Sequence, residues 1–150
     1  MTWTATESLM LLALAEAEEA FLRGDVPVGA VLVKGGEVVG RGSNVAGDPT
    51  AHAEILAIRE GAATLGARNL TDCDLYVTLE PCPMCAGAAV TARLRTIVFG
   101  ARDPKAGAVG TLYDIPRDGR LNHRCRALGG VLEGRCAEIL RRYFMNKRRK

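Results

Sequence analysis

A histidine and a pair of cysteines thirty residues apart constrain this chain more than any other feature. His52-Ala53-Glu54 lies in one segment and Pro81-Cys82-Pro83-Met84-Cys85 in another. Mixed nitrogen and sulfur donors at this spacing suit zinc, so the fold must carry the two segments to one point. His52, Cys82 and Cys85 supply three ligands, which leaves one tetrahedral position open to water, as in a catalytic site and unlike a structural clamp. Glu54 is then a carboxylate outside the ligand set. Two residues advance a helix by about 200°, so His52 and Glu54 diverge, and Glu54 approaches the bound water from beside the metal.

The other cysteines and the second histidine offer rival readings. Cys73, Cys125 and Cys136 bring the cysteines to an odd five, which argues against a disulfide framework and for small apolar core positions. A redox role for Cys82 and Cys85 is the rival reading of their spacing. Against it, Met84 is an apolar filler and the His-x-Glu segment offers the missing third ligand. His123, the other histidine, could in principle turn the set into a four-ligand structural site.

At 150 residues the chain suits one domain, 1–150, long enough to bury about two-thirds of its unfolded surface. The apolar stretch 9–15 has no basic leader and runs into Glu16, Glu18 and Glu19, unlike a signal peptide. No apolar run approaches the ~20 residues of a membrane span, so a cytoplasmic protein is expected. The net charge of +3 is small, but its placement is informative: Lys147, Arg148, Arg149 and Lys150 close the chain behind Arg141 and Arg142.

Periodicity predicts a helix over residues 6–23, with Thr4 and Glu7 at capping-box spacing, a stripe of Leu9, Ala13, Ala17 and Phe21, and a stop at Gly24. Residues 28–33 and 37–42 read as a hairpin across Gly35-Gly36. A second helix is expected from Pro49 or Thr50 towards Gly66, with His52 and Glu54 in its first turn. Residues 75–79 read as a strand, and Pro83 suits the first turn of a third helix. Residues 96–99 give a fourth strand, Val131-Leu132 the start of a fifth, and residues 136–147 a last helix. The stretch 100–130 is rich in turn pairs and is expected to be a functional excursion with short helical turns. This order predicts an α/β domain in three layers, helices covering both faces of the sheet.

Hydroxide formed on zinc near neutral pH can attack an amidine-like carbon of a nucleobase. Glu54 is placed to take the water proton, pass it to a ring nitrogen and later protonate the leaving amine. These roles describe hydrolytic deamination. The zinc motif by itself leaves adenosine, guanine and cytosine open as substrates, and a non-catalytic zinc module that binds RNA is the alternative from another class.

Thr50-Ala51-His52-Ala53-Glu54 together with the segment 79–88 resembles the cytidine deaminase-like superfamily, and most closely its bacterial tRNA-specific adenosine deaminases. The segments 25–30, 98–107 and 121–124 and the pair Tyr143-Phe144 extend the resemblance over roughly residues 7–148. It implies an α/β/α fold around a five-stranded mixed sheet, one zinc ion per subunit, a homodimer whose partner walls the site, and conversion of adenosine to inosine at the wobble position of a tRNA anticodon loop. It also implies that Asn44 hydrogen-bonds the target nucleoside and that the Ala53 amide faces the base. Val28 would form an apolar wall, Asp103 would contact the neighbouring nucleotide, and Phe144 would lie where the last helix approaches RNA. One departure stands at the substrate entrance: the segment between Asn44 and His52 is a few residues shorter than in the family it matches.

Overall fold

Thr4 begins the first helix as the sequence predicts: its hydroxyl accepts the Glu7 amide at 3.1 Å, and the Glu7 carboxylate accepts the Thr4 amide at 2.9 Å. The computed structural model describes residues 2–148; Arg149 and Lys150 of the basic ending lie outside the described residues. Helix α1 (Ala5–Arg23) ends at Gly24, whose φ of 86° suits glycine. Its buried line is Met10, Ala13, Ala17 and Ala20, rotated slightly from the expected stripe.

Strands β1 (Gly29–Lys34) and β2 (Glu37–Ser43) form the antiparallel hairpin, with Gly35 and Gly36 both at positive φ. Helix α2 (Ala53–Leu65), β3 (Cys73–Leu79), α3 (Pro83–Thr91), β4 (Thr96–Ala101), β5 (Arg126–Leu128) and α4 (Glu133–Arg148) follow. The sheet order is β2-β1-β3-β4-β5, antiparallel at β1–β2 and β1–β3 and parallel at β3–β4 and β4–β5. This is the expected five-stranded mixed sheet. Helices α1 and α4 pack against one face, where Met10, Val31, Tyr76, Val98 and Cys136 form a core. The larger core, under α2 and α3, holds Leu32, Leu75, Val77, Ile97 and Phe99. Because β1, β3 and β4 are covered on both faces, they read as nearly unbroken apolar runs.

Three expectations about elements are corrected. The second helix starts at Ala53, not near Pro49, because the Asp48 carboxylate binds the Thr50 amide at 2.9 Å and makes a separate turn. The fifth strand is Arg126–Leu128, not Val131-Leu132: Gly130 at φ 85° and Leu132 at φ 52° turn the chain into α4. The last helix opens at Glu133, three residues early, with Gly134 inside its first turn. The excursion between β4 and β5 holds one 3-10 turn, Ile115–Arg117, and a single bridge between Val109 and Asp114. No helix among the described residues is long and apolar enough to cross a membrane.

Candidate metal centre and active site

Both halves of the donor set sit where a helix begins. His52 is the last extended residue before α2, with φ −76° and ψ 152°, and Cys82 holds the same place before α3. Cys85 lies one turn into α3, fully buried. The His52 Nδ1 atom is 3.6 Å from Cys82 Sγ and 3.5 Å from Cys85 Sγ, and the three donor atoms lie within 4.8 Å of one another. A tetrahedral zinc ion, with bonds of about 2.0 Å to nitrogen and about 2.3 Å to sulfur, sets those atoms about 3.5–3.6 Å apart. The two nitrogen-to-sulfur distances therefore match those such an ion requires.

The electrostatics favour thiolate at one of the two sulfurs. Hydrogen bonding from the Cys85 thiol lowers the Cys82 pKa to about 5 against the effect of burial, helped by the Cys85 and Met84 amides at the helix start and by His52. Cys85 is pushed up, because its proton is shared with Cys82 and it lies away from solvent. Glu54 is only 4% exposed; burial raises its carboxyl to about 7, with the Cys82 thiolate adding to the rise and His52 opposing it.

Cys73, Cys125 and Cys136 are buried free thiols, as the core reading requires. Burial alone pushes Cys125 up to about 11, and burial with Glu133 pushes Cys136 to about 12. His123 takes no part in the cluster. Its Nε2 donates to the Leu94 carbonyl at 2.7 Å.

Above the donors opens a cleft of about 510 Å³ whose lining includes Val26, Asn44, Ala51, His52, Tyr143 and Lys147. Asn44 is there as expected, but the Ala53 amide is not left for a base: it donates to Asn44 Oδ1 at 2.8 Å. That bond occupies the Asn44 carboxamide oxygen and leaves its nitrogen as the donor of that side chain. Val28 is 4% exposed and packs in the core, while Val26 lines the cleft. Asp103 lies off the cleft, and its carboxylate accepts the Lys105 and Ala106 amides at 3.0 and 3.2 Å. Phe144 is half exposed and packs edge-on against Tyr143; it lines a separate recess with Lys105, Lys147 and Arg148.

Several supporting residues carry no sequence motif. Arg23 donates to Ser43 Oγ at 2.9 Å and to the Asn44 carbonyl at 3.0 Å, while Asp25 binds both Arg23 and the Ala46 amide. This brace holds the short segment after β2. Tyr143 and Lys147, not singled out as cleft residues in the sequence, face the cleft one turn apart on α4.

The model of the MafB19-like deaminases matches residues 4–148. The chain belongs to this family. Among relatives of this deaminase, a tRNA-specific adenosine deaminase of Bacillus subtilis (strain 168) is 45% identical over 150 residues, covering 98% of this chain and 93% of that protein. A structure from a study of A-to-I editing by tRNA:A34 deaminases at the wobble position superposes with a TM-score of 0.85. It is 46% identical and covers 89% of this chain and 99% of its own. A guanine deaminase from Nitrosomonas europaea has a TM-score of 0.78 at 28% identity, covering 95% of this deaminase and 86% of its own chain. The three-layer architecture is thus the cytidine deaminase-like fold.

Proposed function

We propose that this chain hydrolyses adenosine to inosine at the wobble position of tRNA, with water consumed and ammonia released. The observation that carries the reading is Glu54, buried beside a three-donor cluster whose His52 lines an open cleft. It stands in a chain similar over nearly its whole length to a tRNA-specific adenosine deaminase. A single domain, 1–150, performs the reaction in a cytoplasmic homodimer.

His52, Cys82 and Cys85 would hold one zinc ion per subunit, which supplies an open coordination position and lowers the pKa of water there towards ~7. Asn44 orients the nucleoside through its carboxamide nitrogen, and Val26 forms the apolar wall of the cleft. Glu54 receives one proton of the attacking water and delivers it to the adjacent ring nitrogen, then takes the remaining proton of the added hydroxyl and passes it to the amine, which leaves as ammonia as its C–N bond breaks. Its burial keeps solvent from competing for that proton. In an anticodon loop the target base is already unpaired, so little unstacking opposes its entry. Asp103, off the cleft, and Phe144, in the neighbouring recess it shares with Lys147, are the residues that would meet the rest of the RNA.

The test is incubation of the purified protein with an anticodon stem-loop bearing a wobble adenosine, followed by sequencing of the product. Inosine from wild type and none from Glu54→Ala is the expected result. Absence of inosine, with the two proteins indistinguishable, overturns the reading. The similarity to the guanine deaminase motivates a second reading with a free base as substrate. Ammonia release from guanine, with none from RNA, would decide for it.

A further inference from the structure

Glu80 is a carboxylate in an unusual place. It directly follows β3, precedes Pro81-Cys82, and is only 2% exposed. Burying a carboxylate is costly unless donors surround it, and here four do. Oε1 accepts the Asp103 amide at 3.1 Å and the Thr111 hydroxyl; Oε2 accepts the Val109 amide at 3.0 Å and the Thr111 amide at 3.1 Å. All of these donors belong to the loop that leaves β4. The backbone adds the Glu80 amide to the Ala101 carbonyl at 2.8 Å and the Ala108 amide to the Pro81 carbonyl at 2.9 Å. Gly107 closes over the carboxylate so tightly that a Cβ there would lie 2.5 Å from Glu80 Oε1.

We propose that Glu80 is a positioning residue for RNA: it straps the loop of residues 102–111 to the segment bearing Cys82, and so fixes Asp103 and Lys105 relative to the metal centre. The inference rests on the functional reading above. A role confined to packing would be served by an apolar side chain, which needs no donors. The two oxygens of Glu80 instead gather amides from both ends of one loop. That loop carries Lys105, which shares a recess of about 380 Å³ with Phe144, Lys147 and Arg148 of α4. Three cations and an aromatic ring suit a phosphate and a stacked base. Lys105 is the member of that group carried on the loop that Glu80 holds, so releasing the strap loosens it from its α4 partners.

Glu80→Gln keeps the shape but turns an amide NH2 towards donors, so at least one pair of hydrogen bonds is lost. Thr111→Val removes one donor from an exposed residue and serves as the milder variant. Three readouts are taken: metal content, steady-state kinetics on the wobble-adenosine stem-loop and on one that is abasic at the neighbouring nucleotide, and amide hydrogen exchange over residues 102–111. With charge-assisted hydrogen bonds at stake, Glu80→Gln should raise KM about tenfold on the intact stem-loop and Thr111→Val about threefold. In both, kcat should fall by a smaller factor, metal content should stay at one per chain, and loop exchange should accelerate. On the abasic stem-loop the gap in KM between wild type and variants should shrink. Unchanged KM and exchange, or a fall in kcat that tracks lost metal, overturns the proposal. If the wild type makes no inosine from any RNA, the functional reading fails instead. The exchange comparison then decides independently whether Glu80 holds the loop.

Discussion

Glu54 has the carboxylate burial expected of a proton carrier and no place among the three donor atoms, so its replacement separates chemistry from metal binding. Glu54→Gln should cut the single-turnover rate by about 10²–10⁴-fold. Metal analysis of the same sample should still find one ion per chain. Cys85→Ser should do the reverse first, lowering metal content, and lose activity with it. These residues were legible in the sequence because each half of the set is contiguous and the residue types have few other uses together. Asn44 was legible as a residue but its partner was not: that Oδ1 takes the Ala53 amide depends on how β2 and α2 meet. Tyr143, not Phe144, faces the cleft because the docking of α4 sets which side of an aromatic pair turns inward. Arg23 and Asp25 act through loop carbonyls and amides, which leave no periodic trace.

Glycines show how closely the elements that carry the site must approach. A Cβ on Gly42 of β2 would lie 2.2 Å from the Ala53 carbonyl, at the start of the helix that positions His52. Gly42→Ala should therefore destabilise by about 1–3 kcal/mol, as overpacking does, and weaken metal retention with it. Urea denaturation and a competitive chelator titration would show the two effects together. Gly29 repeats the arrangement against α1, where a Cβ would stand 2.1 Å from the Ala13 carbonyl. The helices and the hairpin were readable because caps, glycine pairs and apolar spacing agree locally. The fifth strand was not: Arg126-Ala127-Leu128 is short, opens on a charged residue and is set by its pairing with β4, a contact no local pattern announces. The start of α4 was hidden by Gly134, which local propensity counts against a helix.

At the scale of the molecule, charge and metal are the two levers. Lys105, Lys147 and Arg148 group on the side of the cleft assigned to RNA. If each meets one phosphate of a single strand, the logarithm of RNA affinity should fall with the logarithm of salt at a slope of about −2, and Lys147→Ala should flatten it by about 0.7. Fluorescence anisotropy across a salt series reads both values. The donor set joins segments thirty residues apart, so a bound ion stabilises the folded chain as a ligand does. Stripping it with a chelator should lower the melting temperature, at a cost of about 4 kcal/mol when the ion is present at a thousand times its dissociation constant. Zinc should restore both melting temperature and activity.

Strands β3 and β4, the helix between them and the loop strapped by Glu80 form one uninterrupted stretch of chain, whereas His52 and Glu54 arrive from elsewhere. Recombination of that stretch would carry Cys82, Cys85 and the strapped loop together, leaving His52 and the proton carrier to be matched from a separate segment. The metal centre thus spans the joint between inherited segments, and a lineage that exchanges the stretch keeps a complete donor set only by keeping both cysteines in it.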